Sequence, residues 1–178
     1  MLIYTIGHSA RPWDQFFTLL KHYKVELLVD VRTVPKSRHV PHFNSEVVKQ
    51  ALHKEDIEYQ HQRKLGGLRK PIEDSVNLGW RNSSFRGFAD YMQTEEFRKG
   101  LMELSDLVAE RRAVLMCAEA VPWRCHRSLI ADALLVRKWE VWHIISPTSL
   151  QAHELTPFAV IEGERIIYPK VKQSRSST

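Results

Sequence analysis

The chain has 178 residues, which is enough for one domain with its own hydrophobic core. Hydrophobic residues make up 43% of it, so we expect a globular protein rather than a disordered one, and the longest apolar runs are too short to cross a bilayer. The formal charge of +5 favours an anionic partner. Two cysteines do not make a disulfide framework, and the N-terminus lacks the basic leader of a signal peptide, so we expect a cytoplasmic location.

Strand and helix signals alternate in the N-terminal part of the chain. Residues 2–7 and 25–31 are short apolar, β-branched runs, which predict buried strands. Between them, Pro12 suits the first position of a helix. A second helix over 46–55 and an alternating strand over 57–62 follow. The first helix carries one apolar stripe, formed by Phe16, Leu19, Leu20 and Tyr23.

The middle of the chain is predicted to hold a long connection and a long helix. Residues 64–87 are rich in Gly, Ser, Asn and Arg, which indicates an inserted loop or lid, because connections of this length are uncommon without a function. Residues 88–112 then repeat apolar side chains at helical spacing, and Gly100 suggests a break in that helix.

The C-terminal part returns to the alternation of strand and helix. Residues 113–118 and 140–145 are predicted strands, with a helix over 128–138 between them. A hairpin over 158–169, turning at Glu162-Gly163, comes next, and residues 171–178 form a basic, polar tail.

This order of elements predicts an α/β fold. Strands that alternate with helices form an open, mostly parallel sheet with helices on both faces, which is a three-layer sandwich. We therefore predict one α/β domain over residues 1–170, ending in the C-terminal β-hairpin. Such sheets bind ligands at the carboxyl ends of their strands, and the residues at those ends are the candidates for function.

Polar and glycine residues follow several predicted strands. Gly7-His8-Ser9 follows the first strand, and its glycine permits a phosphate to approach the backbone. Asp30 and Arg32 end the second strand, where a carboxylate can act as a general base. Gly66-Gly67 lies in a basic segment whose amides suit a phosphate. The alternative for each is structural, as a helix cap, a partner of loop amides or a plain loop.

The stretch CAEAVPWRCHRS, residues 117–128, joins a strand to a helix and is open to three chemistries. The spacing of Cys117, Cys125 and His126 is not that of the short cysteine pair in structural zinc sites, so no metal is predicted. The interval from Cys117 to either following arginine is longer than the loop of a cysteine phosphatase, and that loop lacks glycine. The third chemistry needs no nucleophile: Glu119 works with Asp30 as acid and base, and both cysteines shape the site.

Four separated motifs together resemble a known family. They are YTIGHS at 4–9, DVR at 30–32 with Pro35 and Ser37 after it, LGG at 65–67, and CAE…CHR at 117–127. In this order they are similar to the bacterial and archaeal proteins grouped as domain of unknown function DUF488. The resemblance runs from residue 2 to about residue 147, implies a single α/β domain, and does not reach the C-terminal hairpin or tail. It marks Gly7, His8, Ser9, Asp30, Arg32, Pro35, Ser37, Gly66, Gly67, Cys117, Glu119, Cys125, His126 and Arg127.

The leading functional prediction is an enzyme that acts on a nucleic acid or nucleotide by hydrolysis, including cleavage of a base–sugar bond as in DNA repair. Carboxylates would activate water, histidines would move a proton and arginines would hold phosphate. The predicted catalytic residues are Asp30, Glu119, His8 and His126. The predicted substrate- or phosphate-binding residues are Gly7, Ser9, Arg32, Ser37, Gly66, Gly67 and Arg127.

Two alternatives stay open at this point. One is a non-catalytic nucleic-acid-binding module, which needs the basic loops but not the carboxylates. The other is a thiol or metal site at Cys117 and Cys125. No cofactor and no membrane association are predicted, the expected partner is a nucleic acid or nucleotide, and the sequence does not fix an oligomeric state.

Overall fold

The computed structural model describes residues 1–170, in which a six-stranded sheet is flanked by helices. The strands of this sheet are β1 (Leu2–Gly7), β2 (Leu27–Asp30), β3 (Glu58–His61), β4 (Ala113–Cys117), β5 (Glu140–Ser146) and β6 (Ser149–Ala152). Two further strands, β7 (Val160–Glu162) and β8 (Arg165–Ile167), form the separate C-terminal hairpin. The helices are α1 (Trp13–His22), α2 (Ser45–His53), α3 (Ser83–Tyr91), α4 (Glu95–Val108) and α5 (Arg127–Val136). The predicted α/β class, with a mostly parallel sheet and a C-terminal hairpin, is confirmed.

The strand order of the sheet is β3-β2-β4-β1-β5-β6. The first five strands are parallel, and β6 pairs antiparallel with β5. In this register Gly7 of β1 lies beside Cys117 of β4, and Asp30 of β2 lies beside Met116 of β4. The carboxyl ends of the three central strands therefore meet at one edge of the sheet.

Two hydrophobic clusters cover the two faces of the sheet. Every residue of β4 is buried, and alternate side chains point to opposite faces because the strand repeats every two residues. Leu115 and Cys117 belong to the cluster that includes residues of α4 and α5, whereas Met116 belongs to the cluster that includes Phe16 of α1 and Val48 of α2. The Cys117 side chain thus lies on the α4–α5 side of the sheet.

The helical region predicted over 88–112 consists of two helices, and the break lies at residues 92–94 rather than near Gly100. The Thr94 hydroxyl accepts a hydrogen bond from the Phe97 amide and so starts α4 as an N-cap. Gly100 lies inside α4, where an added Cβ would be 2.9 Å from the Lys64 Cβ. This glycine therefore allows close packing of the helix against the 3-10 turn Arg63–Leu65, and it does not break the helix.

Much of the segment over 64–87, predicted as an inserted loop or lid, is tied to the body of the protein. It is irregular from Gly66 until α3 begins at Ser83. The buried Asn77 donates to the Asp90 carboxylate at 2.7 Å and accepts from the Tyr168 amide at 2.9 Å.

The C-terminal hairpin turns at Gly163, whose φ is +66°. The antiparallel edge strand β6 was not predicted from the sequence. The predicted tail over 171–178 lies outside the described residues. None of the helices within residues 1–170 combines the length and the hydrophobicity needed to cross a membrane.

Candidate functional site

A cleft of about 310 Å³ opens at the carboxyl edge of the sheet, between the segments that follow β2, β3 and β4. Apolar side chains and two arginines form much of its wall, and both cysteines reach it. The residues that line the cleft are Arg32, Thr33, Val34, Gly67, Leu68, Ser84, Phe85, Cys117, Ala118, Glu119, Arg124, Cys125 and His126.

The two thiols are in direct contact at the base of this cleft. Cys117 ends β4, and the 3-10 turn Pro122–Arg124 brings the chain back so that the Cys125 Sγ lies 2.6 Å from the Cys117 Sγ. Both cysteines are free and buried. The separation exceeds the roughly 2.05 Å of a disulfide bond but is short enough for one thiol to donate a hydrogen bond to the other.

Arg127, the first residue of α5, lies against the Cys117 sulfur. Its Nη1 donates to the Cys117 Sγ at 2.8 Å and to the Glu119 carbonyl oxygen at 2.7 Å, while Nη2 donates to the Ala120 carbonyl oxygen at 3.1 Å. The side chain is only 1% exposed, and it does not line the cleft. The guanidinium therefore holds the loop after β4 and places a positive charge beside one thiol.

These contacts separate the acidities of the two thiols. Burial alone would raise the pKa of Cys117. The hydrogen bond from Cys125, the positive charge of Arg127, and the hydrogen bonds with the Glu119 backbone and the Arg127 side chain lower this pKa to about 7. The pKa of Cys125 is raised well above its ordinary value, because that thiol donates to Cys117 and is itself buried. Near neutral pH a large fraction of Cys117 is therefore a thiolate that accepts a hydrogen bond from the Cys125 thiol.

Gly7-His8-Ser9 supports the same loop from behind and does not line the cleft. The amides of His8 and Ser9 donate to the carbonyl oxygens of Cys117 and Ala118, at 2.9 and 2.8 Å. A Cβ on Gly7 would lie 1.8 Å from the Glu119 carbonyl oxygen. Glycine is therefore required here because the loop crosses directly over the end of β1.

Asp30 and Arg32 form a buried ion pair. Arg32 Nε and Nη2 donate to the Asp30 carboxylate at distances from 2.6 to 3.1 Å, and the Tyr59 hydroxyl donates to the same group at 2.7 Å. The Asp30 side chain is fully buried and does not reach the cleft, whereas Arg32 does. Asp30 and Tyr59 consequently fix the orientation of an arginine at the cleft wall.

The two predicted catalytic histidines lie in different places. His8 is buried, stacked on Phe43, and its Nε2 lies 3.2 Å from Arg32 Nη1. His126 lines the cleft, and its Nε2 donates to the Val31 carbonyl oxygen at 3.0 Å. Burial lowers the pKa of each to about 4, so both rings are neutral near pH 7. With Nε2 protonated, His126 Nδ1 is a hydrogen-bond acceptor, and it lies 3.6 Å from the Cys125 Sγ.

The remaining predicted residues divide between the cleft wall and its supports. Gly67 lines the cleft and packs against His126, where an added Cβ would be 2.9 Å from Nδ1. The exposed Glu119 side chain also lines the cleft and accepts from the Ala120 amide at 3.0 Å. Gly66 is packed against Thr33. Ser37 lies away from the cleft, where its hydroxyl accepts from the amides of His39 and Val40.

Sequence reasoning missed two residues that organise this site. Tyr59 lies on β3 and reaches Asp30 across the β2–β3 pairing, and Thr33 donates to the Gly67 carbonyl oxygen at 2.8 Å. The alternating pattern of β3 was a usable signal, because it places Tyr59 on one face of the strand. Within residues 1–170, no group of three or more His, Cys, Asp or Glu side chains is arranged to hold a metal ion.

Comparison with known proteins gives a family but no named relative. The model of the family described as domain of unknown function DUF488 matches residues 12–134, which is more than half of the chain. No curated protein and no solved structure matches the chain. The matched range includes Asp30, both cysteines and Arg127, so the family similarity covers every residue that lines the cleft. The chain belongs to the DUF488 family.

Proposed function

We propose that this protein is an enzyme whose chemistry is thiol–disulfide exchange at Cys117 and Cys125. The observation that carries this proposal is the 2.6 Å contact between the two sulfurs at the base of the cleft, with the Arg127 guanidinium on the Cys117 sulfur. A thiolate beside a positive charge and a second thiol within bonding reach are the two parts that dithiol chemistry requires.

The reaction proceeds in two displacements. The Cys117 thiolate attacks one sulfur of a substrate disulfide and expels the other as a thiolate, which leaves a mixed disulfide. Cys125 then gives its proton to the first expelled substrate thiolate and attacks the Cys117 sulfur, which releases the second substrate thiolate and leaves a Cys117–Cys125 disulfide. The substrate gains two electrons and the enzyme loses two. An external thiol reductant restores the enzyme by the same steps in reverse.

The surrounding residues have roles that follow from their positions. Arg127 favours the ionised form of Cys117, and the neutral His126 ring lies beside Cys125, with its Nδ1 3.6 Å from the sulfur. Leu68 and Phe85 make part of the cleft wall apolar. Asp30 and Tyr59 act indirectly, since they orient Arg32 at the cleft wall.

Turnover of a small disulfide tests this function. Protein is incubated with oxidised glutathione and an excess of dithiothreitol, and the rate above the uncatalysed exchange is measured. We expect catalysis by the native chain and none by Cys117→Ser, and we expect Cys125→Ser to hold a mixed disulfide when oxidised glutathione is added without dithiothreitol. Equal rates for the native chain and Cys117→Ser would reject the proposal. Ser37→Ala, away from the cleft, is the control variant.

Hydrolysis of a nucleotide or nucleic acid is the second candidate. Glu119 supports it, because this exposed carboxylate lies in the same cleft as the arginines Arg32 and Arg124. Glu119 would activate water, and the arginines would hold phosphate. This candidate predicts that Glu119→Gln abolishes hydrolysis of the substrates found, and that Cys117→Ser does not. Salt-dependent nucleic-acid binding that survives Glu119→Gln, without hydrolysis, would instead indicate the non-catalytic module.

A further inference from the structure

A second cavity lies on the other side of the loop that carries Cys125. Its volume is about 280 Å³, near the lower end of the roughly 300–1,000 Å³ typical of ligand pockets, so it suits a small occupant. It shares no lining residue with the cleft. The lining residues are Trp80, Pro122, Trp123, Ser128, His143, Gln151, Ala152, His153, Glu154, Thr156, Pro157 and Phe158.

Aromatic rings form much of this cavity. Trp80 and Phe158 pack edge to face with their centroids 4.9 Å apart, which fixes both rings. Trp123 lies on the 3-10 turn Pro122–Arg124 and is 60% exposed, so a large part of the indole is open to a ligand. Among aromatic side chains, tryptophan binds a cation most strongly, because the face of its ring carries negative charge density.

The charged side chain that lines the cavity is acidic, although the chain as a whole has a positive formal charge. The formal charge of the chain is +5, but no lysine or arginine is among the described residues that line this cavity. Glu154 is the acidic side chain in the lining, it is exposed, and within residues 1–170 it has neither a hydrogen-bond nor an ion-pair partner. A cationic ligand would therefore meet an available carboxylate here.

Several polar side chains in the floor of the cavity bond to one another. His143 uses both ring nitrogens, one on the Thr5 hydroxyl at 2.7 Å and one on His153 at 3.0 Å. His153 in turn contacts the buried Asp132 carboxylate at 2.8 Å. The Asp132 carboxylate also accepts from Thr156 and Tyr168. The side chains of His143, His153 and Asp132 thus form a connected hydrogen-bond network, whereas the Trp80 Nε1 is buried with no hydrogen-bond partner within residues 1–170. The aromatic rings, Gln151 and Glu154 are left to contact a ligand.

We propose that this cavity binds a small organic ammonium ion, whose positive nitrogen lies against the Trp123 ring and the Glu154 carboxylate. The apolar part of the ligand packs against Phe158 and the two prolines. The site is separate from the cleft, so the proposal does not depend on the chemistry of the thiols.

A pair of isosteric probes tests this proposal directly. Calorimetric titration of the full chain compares choline, tetramethylammonium and dimethylbutanol, which is the uncharged carbon isostere of choline. We expect saturable binding of at least one ammonium ion, with dimethylbutanol roughly tenfold weaker than choline or undetectable. Absence of ammonium binding, or equal affinity for choline and its uncharged isostere, would overturn the proposal.

Variants then locate the site. Trp123→Leu and Glu154→Gln each replace an exposed side chain, and each is expected to weaken ammonium binding roughly tenfold. Glu162→Gln, an exposed carboxylate on the C-terminal hairpin, is the matched control and is expected to bind as the native chain does. Cys117→Ser is also expected to leave the affinity unchanged. Unaltered affinity in both cavity variants would contradict the assignment.

Discussion

Replacement of Cys125 by alanine is expected to make Cys117 a weaker acid. In the native protein the Cys125 thiol donates a hydrogen bond to the Cys117 sulfur, which contributes to a Cys117 pKa of about 7. A hydrogen bond to a charged group contributes about 1.5–3 kcal/mol, and one pKa unit corresponds to about 1.36 kcal/mol. Loss of the donor therefore raises the pKa by roughly one to two units. Cys125→Ser keeps a donor and should recover much of this difference.

The assay is simple because the chain contains only two cysteines. Each variant has one thiol, so the rate of its alkylation by iodoacetamide as a function of pH gives the pKa of Cys117 without ambiguity. The rate should rise with pH through a midpoint that is higher in Cys125→Ala than in Cys125→Ser. A Cys125→Ala midpoint that stays near 7 would show that the contact between the thiols does not tune Cys117, and would refute this reasoning.

Three further predictions concern the support of the site. Gly7→Ala should lower the free energy of unfolding by roughly 1–3 kcal/mol or more, because its Cβ would overlap the loop after β4; a urea midpoint equal to that of the native chain would contradict this packing. Asp30→Asn should cost about 3–5 kcal/mol in the same assay, since it leaves the Arg32 charge buried without its partner, and a loss no larger than that of an exposed substitution would argue against the ion pair. Stability should also fall on acidification: His126 has a pKa of about 4 in the folded protein against 6.5 as the ordinary value, so its contribution is complete above 6.5 and is lost as the pH falls toward 4. At about pH 5 this loss is about 2 kcal/mol, and His126→Gln should show a shallower pH dependence by equilibrium unfolding.

The parallel sheet could be predicted because its central strands are largely buried on both faces. Such strands appear in the sequence as continuous apolar runs, as in 2–7 and 113–118, and the helices between them carry clear stripes. The edge strand β6 gave no such signal, because all four of its residues are exposed. The break between α3 and α4 was placed wrongly because Gly100 resembles a helix breaker in sequence, whereas its role is close packing against Lys64.

From the sequence, only those site residues could be predicted that lie at the ends of the parallel strands. The parallel order brings Gly7, Asp30 and Cys117 to one edge, and the sequence analysis named all three. The directions of side chains depend on turns that spacing does not reveal. The 3-10 turn before Cys125 returns its sulfur to Cys117, and Arg127 reaches back under the same loop.

The central claim is that the two sulfurs form one redox centre. The measurement is equilibration of the native protein in a series of glutathione redox buffers, followed by acid quenching, intact mass determination and peptide mapping. The account predicts a reversible loss of two hydrogen atoms and, in the peptide map, a disulfide between Cys117 and Cys125. The mixed glutathione adduct should accumulate only in Cys125→Ser. Free thiols across the whole series, or a stable glutathione adduct on the native protein, would contradict it.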